Sequence, residues 1–360
     1  MFHTLTVSKI QQETEDTVSV SFAVPTVLAD DFQYTQGQYL TLKFDIKGKE
    51  ERRAYSMSSS PLEKDLTVTV KRVKKGLVSN HIADTLKVGS TVEVMPPQGR
   101  FFTKLDADNR KTYYMVAAGS GITPIFSILK TTLEAEPQSF VNLLYGSRAE
   151  EGIIFKNELD TLQSRYANQV SVTHILSQPK REKSSGMFSF LSKGSLNWQG
   201  LVGRINEDVM DKWLAEFPLT TKTSECFVCG PNDMMDIAEA VFLGNGTNAK
   251  SIHIEHFSAG AVAHNENMKG AKIKVTLNGE VIETPIQEGK TILDTLLALK
   301  KDAPYSCTSG ACSTCIAKVT AGSVKMDACY ALDEDEVAAG YILTCQAHPS
   351  SPVVELSYDM

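Results

Sequence analysis

Apolar and polar positions alternate in short runs over the first hundred residues. Residues 18–22 read VSVSF and residues 66–70 read LTVTV, and glycine and proline turns separate such runs. Alternation with a period of two indicates strands that bury one face, and no long helical pattern interrupts them. The pattern is typical of an antiparallel barrel or sandwich, and we predict a β-barrel over residues 1–107.

The pattern of apolar and polar residues changes after residue 107, where apolar runs are separated by segments with helical periodicity. Strand and helix in alternation are typical of a doubly wound α/β domain with a parallel sheet, which we predict over residues 108–257. The apolar runs are at residues 113–118, 141–145, 170–176, 226–229 and 251–257, and the clearest helical segments are at 124–133 and 234–243.

Residues 258–270 are rich in Ala, Gly, Asn and His and have no periodicity, which predicts a linker. The remaining residues, 271–360, have room for one small α+β domain of the β-grasp kind. A hairpin is predicted at Asn278-Gly279 and a helix over 292–299. A chain of 360 residues is long enough for these three domains.

Seven cysteines are present, and five of them follow residue 306. Cys307, Cys312 and Cys315 have the spacing C-x4-C-x2-C, and Cys345 follows thirty residues later, which is the plant-type [2Fe-2S] pattern. The residues between the first three are small, so the backbone can wrap closely and direct N–H groups at sulfur. These four cysteines are the predicted cluster ligands.

A zinc site is the competing interpretation, and it would need two C-x2-C pairs about fifteen to twenty residues apart. The other such pair, Cys226 and Cys229, lies far upstream within an apolar strand, where positions i and i+3 point to opposite faces. Cys329 has no partner at a ligand spacing and is predicted to be a bystander. The spacing favours the iron–sulfur cluster.

The formal net charge is −7, and no stretch concentrates enough Lys and Arg to bind a phosphate backbone, so nucleic acid is not an expected partner. Residues 271–360 contain twelve acidic and seven basic side chains and are the acidic part. The first 22 residues contain no uninterrupted apolar stretch, so we expect neither a signal peptide nor a membrane anchor. The protein is therefore predicted to be cytoplasmic.

Two short motifs near the barrel's end suit a phosphate-bearing cofactor. Arg53, Ala54, Tyr55 and Ser56 end a predicted strand, where alternation places Arg53 and Tyr55 on one face. The residues at 76–79 (Gly76, Leu77, Val78 and Ser79) stand where a helix begins, which suits backbone N–H groups that bind a pyrophosphate. For the lysines just before Gly76, a solvated charged surface is the favoured interpretation.

Three strand ends in the α/β domain suit a nucleotide. After the first strand, residues 119–124 form a predicted tight turn with Pro124 at the first helical position, a dinucleotide-binding start. An arginine at the end of the next strand suits a ribose 2′-phosphate, although an ordinary surface arginine is the alternative. The candidate residues are Gly119, Gly121, Thr123, Pro124, Ser147, Arg148, Cys229, Gly230 and Pro231.

These motifs, in this order, resemble the ferredoxin–NADP⁺ reductase superfamily, with a plant-type ferredoxin added at the C-terminus. Within that superfamily the chain is similar to the reductase components of phenylacetyl-CoA epoxidases, through residues 117–124 (AAGSGITP) and 339–347 (AGYILTCQA). The resemblance covers all 360 residues.

The resemblance implies roles for the candidate residues. Arg53, Tyr55 and Ser56 would hold the flavin, with Ser56 near its reactive N5. Cys229 and Glu255 would lie beside the transferred hydride, and Phe257 matches the aromatic residue that relatives place near the flavin. The domain order, with Gly76 and Ser79 present, favours FAD over FMN.

The resemblance also implies a function: NADPH would reduce FAD, and the [2Fe-2S] cluster would pass single electrons to an oxygenase. The expected partner is a multisubunit di-iron epoxidase that docks on the acidic ferredoxin domain. Two alternatives stay open, a general NAD(P)H reductase for another oxygenase or a diffusible acceptor, and a redox-sensing module.

Overall fold

Six strands built from the alternating N-terminal residues form one sheet in the computed structural model, which describes residues 2–182, 195–220, 223–257 and 265–359. The sheet has the order β4-β3-β6-β1-β2-β5, and β1 pairs antiparallel with β2 and β6. The strands are β1 (His3–Thr14), β2 (Thr17–Ala23), β3 (Tyr39–Ile46), β4 (Lys49–Ser56), β5 (Leu66–Lys71) and β6 (Thr91–Gln98), and helix α1 (Leu77–Thr85) follows β5.

A second sheet has the order β12-β9-β8-β7-β13-β14, and its described ladders are parallel. Its strands are β7 (Thr112–Ala118), β8 (Phe140–Ser147), β9 (Val170–Leu176), β12 (Leu201–Val202), β13 (Ser224–Cys229) and β14 (Ile252–Glu255). The helices are α2 (Ile122–Ala135), α3 (Lys156–Arg165), α4 (Glu207–Glu216) and α5 (Asn232–Gly244).

Both faces of this parallel sheet are buried, as the continuous apolar runs require. Cys229 and Phe227 pack into one core with α2, whereas Cys226 and Val228 pack into another with α4 and α5. The two cysteines therefore lie on opposite faces of the sheet, as their spacing in the strand predicted.

The C-terminal domain is a five-stranded mixed sheet of order β16-β15-β21-β17-β19 with a separate β18-β20 pair. The hairpin at Asn278-Gly279 is confirmed, with positive φ angles of 52° and 77° that suit a type I′ turn. The elements are β15 (Lys272–Leu277), β16 (Glu280–Pro285), α6 (Ile292–Ala298), β17 (Ile316–Ala321), β18 (Val324–Met326), α7 (Glu334–Ala338), β19 (Tyr341–Leu343), β20 (Ala347–Pro349) and β21 (Val353–Ser357). The predicted fold class, an antiparallel flavin domain, an α/β domain and a small α+β domain, is confirmed.

The second half of the predicted linker is anchored to the small domain. Asn265 donates hydrogen bonds to Asp327 Oδ1 from its backbone N–H (2.5 Å) and its side-chain amide (3.0 Å), and Asn267 donates to the Gln287 and Lys290 carbonyls at 2.9 Å. Hydrogen bonds from amide side chains hold this segment, and it has no periodic apolar residues. The sequence pattern therefore did not reveal its packing. Residues 258–264 lie outside the described residues.

A polar insertion after β9 begins and ends in two short paired strands, β10 (Arg181–Glu182) and β11 (Ser195–Leu196). Residues 178–199 form a polar, basic stretch, which by its composition predicts an unstructured surface insertion rather than a docking element. The strand pair is an addition to that prediction. Its apolar stretch at 187–191 lies outside the described residues.

The described residues divide into two compact units. The first comprises residues 1–40, 44–49 and 55–254, and the second comprises 41–43, 50–54 and 255–360. Within the described residues, no helix is both long and apolar enough to cross a membrane.

Candidate functional site

The nucleotide candidates meet at the carboxyl edge of the parallel sheet. The chain runs outward from β7 through β8 and β9 to β12, then returns to β13 on the other side of β7. Where the strand order reverses in this way, the loops diverge and leave a crevice in which ligands bind. The turns after β7 and β13 border this crevice, because Ala117 pairs with Cys229 at the strand ends.

Two glycines allow these turns to approach each other without intervening side chains. A Cβ added to Gly121 would overlap the Cys229 carbonyl and lie 2.9 Å from the Gly230 nitrogen. A Cβ added to Gly230 would lie 3.2 Å from the Ala118 nitrogen. Gly119 has a φ of +56° but open space around it. The crevice is thus lined by backbone, which suits close approach by a nucleotide.

Pro124 does not occupy the first position of α2, and that prediction was wrong. The turn over Gly119–Gly121 is a 3₁₀ helix that leads directly into α2 at Ile122, so Pro124 is the third helical residue. A proline is tolerated there because residues in the first turn have no intrahelical acceptor for an N–H group. Thr123 is buried, and its hydroxyl donates to the Ser120 carbonyl at 3.0 Å, which fixes the glycine turn.

Tyr145 supports the same turn, although the sequence did not single it out. This residue of β8 is fully buried, and its hydroxyl donates to the Gly119 carbonyl at 3.1 Å while it accepts from the Ile154 N–H at 3.4 Å. Burial raises the pKa of Tyr145, so the hydroxyl keeps its proton for this contact. A tyrosine in an apolar strand gives no sequence signal of such a role.

Ser147 and Arg148 lie at the end of β8, as predicted. Ser147 is buried and its carbonyl accepts from the Ser177 N–H at 3.0 Å, while the Arg148 carbonyl accepts from the Gln178 N–H at 2.7 Å. The Arg148 residue is exposed, and none of the described residues forms an ion pair with its guanidinium. The contact of Arg148 with a ribose 2′-phosphate stays a prediction.

Cys229 is fully buried in the core beneath α2, and Pro231 precedes α5 with an extended backbone. Glu255 is the last residue of β14 and is half-buried, and Phe257 is 43% exposed. The roles of Cys229, Glu255 and Phe257 in hydride transfer and flavin stacking stay predictions.

The flavin motif is at the end of β4. Ser56 is buried, Ala54 and Tyr55 are half-buried, and the Arg53 guanidinium lies 3.1 Å from the Glu51 carboxylate. Arg53 also donates to the Arg52 carbonyl at 2.6 Å. A bound phosphate would have to compete with Glu51 for the exposed side of Arg53.

Gly76 and Ser79 build the turn before α1 rather than present free donors. The Gly76 N–H donates to the Val73 carbonyl at 2.8 Å, and the Ser79 hydroxyl accepts from the Val73 N–H at 3.1 Å. A Cβ at Gly76 would lie 2.7 Å from the Ser79 oxygen. The N–H groups of Leu77 and Val78, at the helix start, have no intrahelical acceptor, and their role as donors to a pyrophosphate stays a prediction.

The cysteine loop depends on two unusual backbone positions. Thr308 has a φ of 54° and Gly310 a φ of 72°, and a Cβ at Gly310 would lie 2.7 Å from the Ala328 carbonyl oxygen. A left-handed non-glycine residue costs on the order of 1–3 kcal/mol and is found most often at functional sites. The strained turn directs the Ser309 N–H at Cys307 Sγ and the Cys307 N–H at Cys312 Sγ, both at 3.5 Å.

The four predicted ligands form two interacting pairs. A hydrogen bond shared with Cys312 lowers the pKa of the Cys307 thiol to about 5 and raises the pKa of Cys312. Cys315 interacts with Cys345 in the same way, which raises the pKa of Cys315. Four sulfurs crowded in this manner favour a site that binds cations.

The two thiol pairs fit the donor set of a binuclear cluster. Among the described residues, no three His, Cys, Asp or Glu side chains converge on one metal position. Two thiol pairs with backbone N–H donors suit [2Fe-2S], in which each iron takes two cysteines. Cys329 is half-buried and its pKa is raised by burial, which leaves it a neutral thiol.

Comparison with known protein families gives one match for each domain. An oxidoreductase FAD-binding domain matches residues 4–103, and an oxidoreductase NAD-binding domain matches residues 115–240. A 2Fe-2S iron-sulfur cluster binding domain matches residues 275–350.

Two relatives match along nearly the whole chain. The first, from Escherichia coli (strain K12), is one of the subunits of 1,2-phenylacetyl-CoA epoxidase, and it is 36% identical over 99% of this chain and 98% of the relative. The second is the ferredoxin reductase component of 3-ketosteroid-9-alpha-monooxygenase of Rhodococcus rhodochrous. It is 35% identical over 98% of this chain and 96% of the relative.

Two solved structures share the fold. Phthalate dioxygenase reductase, described as a modular structure for electron transfer from pyridine nucleotides to [2Fe-2S], matches with a TM-score of 0.61 at 23% identity, over 99% of this chain and 98% of that one. An intact type IV self-sufficient cytochrome P450 monooxygenase matches with a TM-score of 0.69 at 21% identity, and this chain spans 41% of its length.

Proposed function

Since this chain belongs to the family of FAD- and NAD-binding oxidoreductases that act as reductase components of oxygenase systems, we propose that it delivers electrons from NADPH to a phenylacetyl-CoA epoxidase. The observation that carries the proposal is the 36% identity to the Escherichia coli epoxidase component over nearly the full length of both chains. The paired cysteines and the backbone-lined crevice are what an electron-transfer reductase needs.

Bound FAD accepts a hydride and releases its electrons singly, and a [2Fe-2S] cluster carries one electron at a time. The chain's own residues bind and orient these groups. Gly121 and Gly230 leave room for the nucleotide, Tyr145 fixes the turn around Gly119, and the N–H groups of Leu77 and Val78 offer donors to a pyrophosphate. Cys307, Cys312, Cys315 and Cys345 are the proposed iron ligands.

Reconstitution tests the choice of partner. The purified protein is mixed with the catalytic subunits of a phenylacetyl-CoA epoxidase, phenylacetyl-CoA, oxygen and NADPH, and epoxide formed per NADPH consumed is measured. The matched control replaces these subunits by the oxygenase component of a 3-ketosteroid 9α-monooxygenase with its steroid. We expect product with the epoxidase and at least roughly tenfold less with the steroid enzyme; the reverse order would reject the proposed partner.

The preference for NADPH rests on Arg148, whose exposed guanidinium lies at the end of β8. Arg148→Ala is expected to raise the Michaelis constant for NADPH much more than that for NADH. A charge-assisted contact to the 2′-phosphate contributes about 1.5–3 kcal/mol, which corresponds to roughly ten- to a hundredfold. Steady-state ferricyanide reduction with each nucleotide measures the effect.

Arg165→Ala is the matched control, because this residue ends α3 and precedes the amino end of β9, at the opposite edge of the sheet. It should leave both Michaelis constants unchanged. An equal rise for NADH and NADPH in Arg148→Ala would show that Arg148 does not recognise the phosphate.

A further inference from the structure

Arg52 is a buried charge that the flavin motif does not include. It belongs to the second unit, which contains residues 50–54 of β4 together with the small C-terminal domain, and it is 6% exposed. Burying a guanidinium is costly unless charged and aromatic partners surround it. The residues that surround the Arg52 guanidinium therefore indicate the role of Arg52.

The partners of Arg52 come from β4 itself and from the segment before the first cluster ligand. Its Nε donates to Glu50 Oε1 at 2.7 Å, and a terminal nitrogen donates to Asp302 Oδ1 at 3.3 Å. The guanidinium carbon lies 4.2 Å from the centre of the Tyr305 ring, a cation–π contact. Arg52 thus binds positions 302 and 305 together.

Two further contacts fix the same segment. The Tyr305 hydroxyl donates to Glu50 Oε1 at 3.4 Å, so Glu50 joins the arginine and the tyrosine. The Thr41 hydroxyl donates to the Ser306 hydroxyl at 3.0 Å, and both residues are 1% exposed. The next residue is Cys307, so the backbone is held immediately before this ligand.

Arg52 is also next to Arg53 of the flavin motif. Successive side chains of a strand point to opposite faces, so β4 directs Arg52 to one side and Arg53 to the other. One strand therefore carries the contacts to the cluster loop and the predicted flavin ligand in adjacent positions. The fork of an arginine, with its planar face on an aromatic ring, suits this task better than a lysine.

We propose that Arg52 is a positioning residue for electron transfer between the flavin and the iron–sulfur cluster, because it holds residues 302–306 against the strand of the flavin motif. The proposal rests on the electron route of the proposed function. In each transfer one electron would leave reduced FAD and enter the oxidised cluster, and two transfers would follow each hydride from NADPH. Arg52 would act through its contacts with Asp302 and Tyr305.

The test uses the full chain with its cofactors and compares Arg52→Met, Arg52→Lys and Tyr305→Phe with Lys49→Met, an exposed change on the same strand. Rapid mixing with NADPH under anaerobic conditions follows flavin reduction and cluster reduction separately by absorbance. Hydrogen exchange measured by mass spectrometry follows the peptide that contains residues 302–306. Iron and FAD contents are measured for every variant.

Arg52→Met should slow cluster reduction at least roughly tenfold, since small displacements of reacting groups have large effects on rate. Flavin reduction should stay within about twofold of the wild type, exchange in 302–306 should rise, and cofactor contents should stay the same. Arg52→Lys should be intermediate, and Tyr305→Phe, which retains the ring, and Lys49→Met should resemble the wild type.

Unchanged cluster reduction in Arg52→Met would overturn the proposal, as would an equal loss of flavin and cluster reduction, which indicates a general structural role. If Arg52→Met fails to fold or to retain FAD, the rates of flavin reduction and cluster reduction in Arg52→Lys are compared instead. Unchanged cluster reduction in that variant would likewise overturn the proposal. Absence of cluster reduction in the wild type would instead reject the proposed function.

Discussion

We expect the variants Cys307→Ser, Cys312→Ser, Cys315→Ser and Cys345→Ser each to lose most of the bound iron, which should be about two irons per chain in the wild type. Serine is a poor ligand for iron because its hydroxyl stays protonated at neutral pH, whereas these thiols form a crowded set that is readily deprotonated by a cation. The contacts of Cys307 with Cys312 and of Cys315 with Cys345 mean that each replacement disrupts one pair. Iron and acid-labile sulfide assays and the visible spectrum measure the loss.

Cys226→Ser and Cys329→Ser are the controls, and both should retain iron. Burial raises the pKa of Cys226 to about 12, and this residue lies in an apolar core of the α/β domain, so its replacement lowers stability rather than metal content. Iron loss in Cys329→Ser with retention in Cys345→Ser would mean that the fourth ligand is wrongly assigned.

Gly121→Ala should reduce NADPH-dependent ferricyanide reduction by about a hundredfold. The added Cβ would overlap the Cys229 carbonyl, and backbone on both sides leaves no flexible side chain to move away. The turns after β7 and β13 must then separate, and a displacement of about 1 Å in a reactive geometry can cost on the order of 10²-fold. We also expect a loss of roughly 1–3 kcal/mol in stability, as in other overpacked positions.

Gly119→Ala is the matched control, because Gly119 has a positive φ but no atom within reach of an added Cβ. It should cost about 1–2 kcal/mol of stability from backbone strain and leave the crevice in place. Ferricyanide kinetics and thermal unfolding of the two variants measure the difference. Wild-type kinetics in Gly121→Ala would show that the close approach of the two turns is unimportant.

Local patterns were sufficient to predict the fold class. The Asn-Gly pair at 278–279 is enough to predict the type I′ turn, and short continuous apolar runs are enough to predict the parallel strands. Neither signal needs tertiary information. The cysteine spacing singled out four thiols, which the structure joins in two pairs, Cys307 with Cys312 and Cys315 with Cys345. Their role as iron ligands stays a prediction. The position of Pro124 was missed because α2 begins at Ile122, directly after the 3₁₀ turn and two residues before Pro124.

Tertiary contacts could not be predicted in this way. Gly119 and Gly121 look alike in the sequence, but only the second lies against another loop. Nothing in the sequence distinguishes Tyr145 and Arg52 from other strand residues. Their roles follow from the contacts of their polar groups in the structure. Asn265 and Asn267 attach the predicted linker to the small domain through amides, which have no periodicity.

The central claim is that electrons reach the oxygenase through the cluster, and the Cys307→Ser full chain tests it most directly. NADPH-dependent ferricyanide reduction and epoxidation of phenylacetyl-CoA by the reconstituted complex are measured on the same preparation. We expect ferricyanide reduction within about threefold of the wild type, because the hydride step does not involve the cluster, and epoxidation reduced at least about a hundredfold. Epoxidation at the wild-type rate by the iron-depleted protein would contradict the account.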